Sequence, residues 1–223
     1  MIRDEIRDFL IAKGVSDVGF CEIGGDCGGL RYAVSIAVRL SDAIIDEIDG
    51  APTPTYFNHY RTVNAFIDRT LLELGLFLQQ RGYRYITVAA SQSMPGTAFN
   101  GRISHKEAAC RANMGTIGRN CLFLHREYGA RVRLGTLLTD CELAPDREKC
   151  PDLCEGCDRC KAACPSGAIL GISYREGMRR EDIFSPAVCS EYMKKAYRHI
   201  GRGAVCGICM QVCPVGVKPH KQQ

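Results

Sequence analysis

The run CEGCDRCKAACP sets Cys154, Cys157, Cys160 and Cys164 in the spacing C-x2-C-x2-C-x3-C, with Pro165 directly after. Few local patterns constrain a chain as tightly. Two-residue gaps let one tight loop wrap three thiolates around a single [4Fe-4S] cubane, while the fourth cysteine begins a different local structure, points away and serves another cluster. The pattern therefore requires a second one. CGICMQVCP supplies it with Cys206, Cys209 and Cys213, again ending in proline, and Cys189 upstream can take the missing first place. Exchange of the fourth ligands predicts two crossed sets: Cys154, Cys157 and Cys160 with Cys213, and Cys189, Cys206 and Cys209 with Cys164. Zinc is the alternative for any cysteine quartet, because tetrahedral thiolate sites use the same gaps. Eight cysteines with two Cys-Pro ends favour iron–sulfur. Cys141 and Cys150 flank the entrance to this region and are the alternative sources of the Cys189 ligand, whereas Cys21, Cys110 and Cys121 read as buried or incidental thiols.

Fourteen cysteines in 223 residues would suggest disulfides in a secreted protein. The N-terminus MIRDEIRDFLIAKG mixes acids with bases and has no apolar run before a small-residue cleavage site, so a reducing, cytoplasmic location is expected. No segment approaches the roughly 18 apolar residues of a membrane span. A net charge of +4 falls short of the concentrated basic face of a dedicated nucleic-acid binder.

Upstream of the cysteines the chain alternates helix and strand signals. Ile2, Ile6, Phe9 and Leu10 recur at helical spacing, Val18 to Cys21 suits a strand, and Gly24, Gly25, Gly28 and Gly29 make a loop before the apolar strand Tyr32 to Leu40. Pro52 and Pro54 mark a further loop. Val63, Phe66, Ile67, Leu71, Leu74, Phe77 and Leu78 predict a long helix over 58–80, stopped by Gly82. Tyr83 to Ala90 and Arg131 to Leu138 are strand candidates, and Ser104 with Glu107 forms a capping box for a helix to about Met114. The expected fold class is α+β: an α/β layer domain over 1–145 for a cofactor or substrate, then a bacterial-ferredoxin-like domain over 146–223 with two [4Fe-4S] clusters.

The stretch SHKEAACRANMGTIGRNCLFLHREYGARVRLGTLLTD, leading into the first cluster motif, resembles the epoxyqueuosine reductase family, which is distantly similar to corrinoid-dependent reductive dehalogenases. The resemblance rests on Gly115, Ile117, Gly118 and Asn120, on Tyr128-Gly129, Leu134-Gly135 and Thr139-Asp140, on CPSGAI at 164–169, and on Cys189 before Ser-Glu-Tyr. It implies an N-terminal domain that binds cobalamin, reduced to a nucleophilic Co(I) state by the neighbouring cluster, with Gly115, Ile117, Gly118, Arg119, Asn120 and Gly135 as cofactor-binding residues. Flavin is the second candidate. In the family a proton-donating aspartate precedes this segment, but Thr97 to His105 contains no carboxylate, and the chain lacks the extension that members use on tRNA. Epoxyqueuosine reduction is accordingly not expected, nor tRNA as a partner.

The residues that can replace the acid are His105, whose side chain titrates at about pH 6.5, and Lys106 beside it. His59 and Tyr60 are weaker candidates for the same pocket, His125, His199 and His220 show no ligand spacing, and Arg131 and Arg133 read as the solvated face of their strand. The expected function is an iron–sulfur oxidoreductase that passes single electrons from a redox donor protein, through two clusters, to a corrinoid or small-molecule substrate. The alternatives are a non-enzymatic electron carrier and a cluster protein that modifies nucleic acid.

Overall fold

The computed structural model describes residues 2–24, 27–91, 93–97, 99–154, 156–201 and 205–217, so Gly25 and His220 lie outside the described residues. Two compact units emerge: residues 1–39, 61–114 and 133–150, and residues 40–60, 115–132 and 151–223. The second unit thus gathers two earlier segments to the cysteine-rich chain after 150.

In the first unit, α1 (Ile2–Ala12) leads to β1 (Asp17–Glu22) and β2 (Tyr32–Arg39), which pair antiparallel with Asp17 opposite Ala37. With β6 (Val132–Thr139) and β3 (Tyr85–Val88) they form one sheet in the order β1-β2-β6-β3. Against it lies α3 (Pro54–Gln79), whose Ile67, Leu71, Leu74 and Leu78 are fully buried at helical spacing. Each such side chain removed from water stabilises the fold by about 1.5–3 kcal/mol. Contact is close because β6 carries Gly135 where α3 crosses, and a Cβ there would overlap Ile67 and Leu71. Gly135 therefore serves helix–sheet packing rather than a cofactor. α4 (His105–Arg111) follows, its N-terminus capped by the Ser104 hydroxyl, which accepts from the Glu107 N–H.

The helix expected over 58–80 starts earlier. Pro54 opens it instead of ending a loop, because proline's fixed φ suits the first helical position, where no N–H is needed. Among the elements with no counterpart in the sequence reading are α2 (Asp42–Asp46) and the hairpin of β4 (Gly115–Ile117) and β5 (Phe123–His125). They belong to the second unit with α5 (Arg159–Ala163), α6 (Pro186–Ala196) and α7 (Ile208–Gln211).

Replacing Gly135 by Val should cost about 1–3 kcal/mol through overpacking. A lower denaturation midpoint with unchanged iron content would bear this out; loss of a bound cofactor without loss of stability would return Gly135 to a binding role.

Candidate metal centres

The eight cysteines expected as ligands all fall in the second unit, and local geometry sorts them into two groups. Cys154, Cys157, Cys160 and Cys213 line one cavity of about 290 Å³, closed on its apolar side by Leu124, Leu153, Pro214 and Val215. Asp152 accepts from the Cys154 N–H at 2.9 Å and shapes the loop, while Cys160 rides on α5. Cys164 ends α5 with φ −74° and ψ 109°, an extended conformation that the following Pro165 favours. This turn takes its thiol out of the first group.

Cys164 is brought to Cys189 by the chain between them. Ile169 bridges Phe184, and the Ser185 N–H donates to the Ala168 carbonyl at 2.9 Å, which docks the start of α6. Ser185 caps that helix through the Val188 N–H, and Pro186 occupies its first turn. Cys206 precedes Gly207, whose φ of +81° and closeness to Ile48 and Tyr56 leave no room for a side chain, and Cys209 lies on α7.

The electrostatics give the same two groups. Burial pushes the Cys160 thiol up to about 11, and the charges of Cys154, Cys213 and Cys157 add to this. Burial likewise raises Cys189 to about 11, with Cys206 and Cys164 as its charged neighbours. Cys209 is raised by burial and then by Cys206, Cys189, Cys164 and, across the groups, Cys160. Burial opposes ionisation of Cys164 too, but the Ser166 hydroxyl, 3.3 Å away, and the N–H groups of Ser166, Ala168 and Ile169 prevail and lower its pKa. Such N–H donors hold a thiolate ready for iron. Cys141 and Cys150 belong to the first unit; Cys141 is raised by burial, with Tyr83 and Asp140 as its neighbours.

Among the described residues, no three His, Cys, Asp or Glu side chains converge tightly enough for a single metal ion.

Residues 115–120 pack within this shell. The Arg119 N–H lies 3.5 Å from Cys154 Sγ, and its guanidinium donates to the Gly156 carbonyl, Asp158 and Ser173. Asn120 donates to the Cys209 carbonyl at 3.2 Å and accepts from the Leu122 N–H. Gly115 and Ile117 lie in β4, where the Leu124 carbonyl fills the place of a Gly115 side chain, and Asn120 and Leu124 crowd Gly118. The small residues allow close approach of the protein's own backbone.

His105 has both ring nitrogens hydrogen-bonded within the protein. Its Nε2 bonds the Ala89 carbonyl at 3.0 Å, which can only accept, so this nitrogen carries the hydrogen and Nδ1 accepts from the Thr136 hydroxyl at 2.8 Å. Burial lowers the ring's pKa, opposed by the Ala89 bond, and Arg133 lowers it further. Lys106 is half-buried at the second position of α4. His59 accepts from the Ser41 N–H at 3.1 Å, and His125 from the N–H groups of Glu127 and Tyr128. Arg131 and Arg133 are not a solvated face. Arg131 is buried against Asp42 and Asp46 of α2, and Arg133 donates to Asn64 and the Ala90 carbonyl. The two acids of α2, four residues apart in DAIID, were the available sequence signal for a basic partner.

Comparison with known proteins agrees with the metal chemistry. Residues 153–216 match the 4Fe-4S double cluster binding domain family. Over 130 residues the chain is 32% identical to the epoxyqueuosine reductase of Listeria monocytogenes, covering 54% of this chain and 32% of that protein. Over 191 residues it is 29% identical to the Synechocystis enzyme of the same name, covering 80% and 61%. The chain thus spans between a third and three-fifths of these relatives. Its fold is that of the catabolic reductive dehalogenase NpRdhA (TM-score 0.76, 18% identity, 96% of this chain and 31% of that one). Bacillus subtilis epoxyqueuosine reductase, seen with its catalytic aspartate loop swung out, also shares it (TM-score 0.66, 19% identity, 96% and 65%). No helix among the described residues is long and apolar enough to cross a membrane.

Because the folded His105 binds its proton less tightly than the unfolded chain does, its stabilising share is full above about pH 6.5 and is lost as the pH falls below that value. Changing His105 to Gln should flatten the fall of melting temperature between about pH 7 and 5; an unchanged slope would show that the ring is not the titrating group.

Proposed function

We propose, from the premise that the chain is an epoxyqueuosine reductase-like iron–sulfur protein with a double [4Fe-4S] cluster domain, that it is a reductase relaying single electrons through two clusters with crossed ligands. One set would be Cys154, Cys157, Cys160 and Cys213; the other Cys164, Cys189, Cys206 and Cys209. The observation that carries this reading is the sorting of eight thiols into these two groups by cavity and by mutual charge. A redox protein is the natural donor. Residues 1–145 would hold the acceptor, a small molecule or a corrinoid, and 146–223 would carry the clusters.

The corrinoid reading draws on the fold alone, through a B12-dependent reductive dehalogenase structure at 18% identity. The residues expected to surround it here, Gly115 to Asn120 and Gly135, are engaged with protein. No step is routed through it. Epoxyqueuosine reduction is not extended to this chain, because the segment 97–105 offers no carboxylate and His105 keeps both ring nitrogens occupied.

Protein purified without oxygen should hold about eight iron atoms and absorb broadly near about 400 nm, whereas zinc in their place would overturn the reading. Replacing Cys189 by Ala should leave about half the iron. Retention of all of it would move that ligand elsewhere. Cobalamin added to the intact protein should leave its own spectrum unchanged if the acceptor is a small molecule; a base-off spectrum would establish the corrinoid.

A further inference from the structure

Cys164 and Ser166 share one tight turn. The Gly167 N–H donates to the Cys164 carbonyl at 3.2 Å, Pro165 takes the second position, and Gly167 closes the turn with φ +68°. The chain that follows is anchored, since Ile169 bridges Phe184 and the Leu170 N–H donates to the Ile183 carbonyl at 3.1 Å. Ser166 is thereby held against the cysteine two residues before it.

Two contacts meet at the Ser166 hydroxyl. Its oxygen accepts from the Ala168 N–H at 3.3 Å, and Cys164 Sγ lies 3.3 Å away. Holding the Ala168 N–H uses the oxygen alone and leaves the hydroxyl its one hydrogen to give. Of these two neighbours only the sulfur can accept it. Between a thiol and a hydroxyl either atom could donate, but a cysteine binds iron as a thiolate, which carries no hydrogen. The bond then has one direction, from Ser166 Oγ to Cys164 Sγ. In the first quartet Cys154 Sγ meets a main-chain donor instead, the Arg119 N–H at 3.5 Å.

We propose that the Ser166 hydroxyl donates to the Cys164 thiolate and so raises the reduction potential of the cluster that Cys164 shares with Cys189, Cys206 and Cys209. The inference rests on the ligand sets proposed above. Reduction takes such a cluster from [4Fe-4S]2+ to [4Fe-4S]1+ with one electron from a low-potential donor; no bond is made or broken, and the hydroxyl proton stays on its oxygen. The added negative charge is shared by the ligand sulfurs, where a hydrogen-bond donor stabilises the reduced state more than the oxidised one. Ser166 is a positioning residue that acts through Cys164 and is itself no ligand.

The test is a dithionite titration of the full-length, two-cluster protein, followed by electron paramagnetic resonance. Two one-electron steps are expected, and the step missing from the Cys189→Ala protein marks the cluster that Cys164 serves. Ser166→Ala should move that step to more negative potential, by up to about tenfold in the one-electron equilibrium or about 59 mV, and leave the other in place. Ser166→Thr keeps the hydroxyl and should leave both steps where they are. Ser166→Gly, which also lacks the hydroxyl, carries the test if Ser166→Ala does not assemble. A marked step that stays in place without the hydroxyl, an equal shift in Ser166→Thr, or a shift confined to the other step would each overturn the proposal. So would loss of the cluster in both Ser166→Ala and Ser166→Gly, which would make the hydroxyl a support of the turn. Failure of the ligand assignment looks different: too little iron for two clusters in the unaltered protein, or two clusters in the Cys189→Ala protein, seen before any potential is compared.

Discussion

The second unit depends on the way its cysteine runs fail to close on themselves. Cys164 leaves α5 in an extended conformation ahead of Pro165, and Cys213 leaves α7 ahead of Pro214. Neither run can complete a quartet alone, and each lends its last thiol to the other group. The helices that carry these residues have 5, 11 and 4 residues, too short to be stable in isolation. Burial raises most of the thiols. In domains of this kind metal binding free energy is folding free energy, and the crossed ligation proposed above would make both clusters parts of one core.

Segment 115–132 finishes that core from a distant part of the chain. Its hairpin brings Thr116 to the Leu153 N–H, Arg119 to the Cys154 loop and Asn120 to the Cys209 carbonyl. Residues of this kind, glycines for close approach with an arginine and an asparagine between them, can cradle a bound cofactor or another part of the same chain. The sequence pattern is identical in the two cases. What differs is the partner, and here it is the loops that hold the thiols.

Legibility in the sequence follows the range of the interaction. Cysteine spacing is local, and so both quartets could be read from it. The period of α3 could be read too, because its buried stripe repeats through Ile67, Leu71, Leu74 and Leu78. Strands of 3 residues, such as β4 and β5, are too short to show a period. The burial of Arg131 and Arg133 depends on Asp42, 89 residues away, and Asn64, 69 residues away, and alternation along one strand carries no trace of either. The setting of His105 is non-local for a related reason. Residue type suggests a proton donor, while the partners of its ring, the Ala89 carbonyl and the Thr136 hydroxyl, lie on other strands and loops.

The chemistry of the first unit is constrained by that same histidine. A two-electron reduction delivered one electron at a time adds two negative charges to the acceptor, which protons must neutralise. The proton on Nε2 is held by a carbonyl, and burial keeps the ring neutral at the pH where an imidazolium would otherwise be available. Segment 97–105 contributes no carboxylate in its place. On the proposed reading the cysteine framework supplies the electrons, while the Nε2 hydrogen of His105 is engaged by the Ala89 carbonyl.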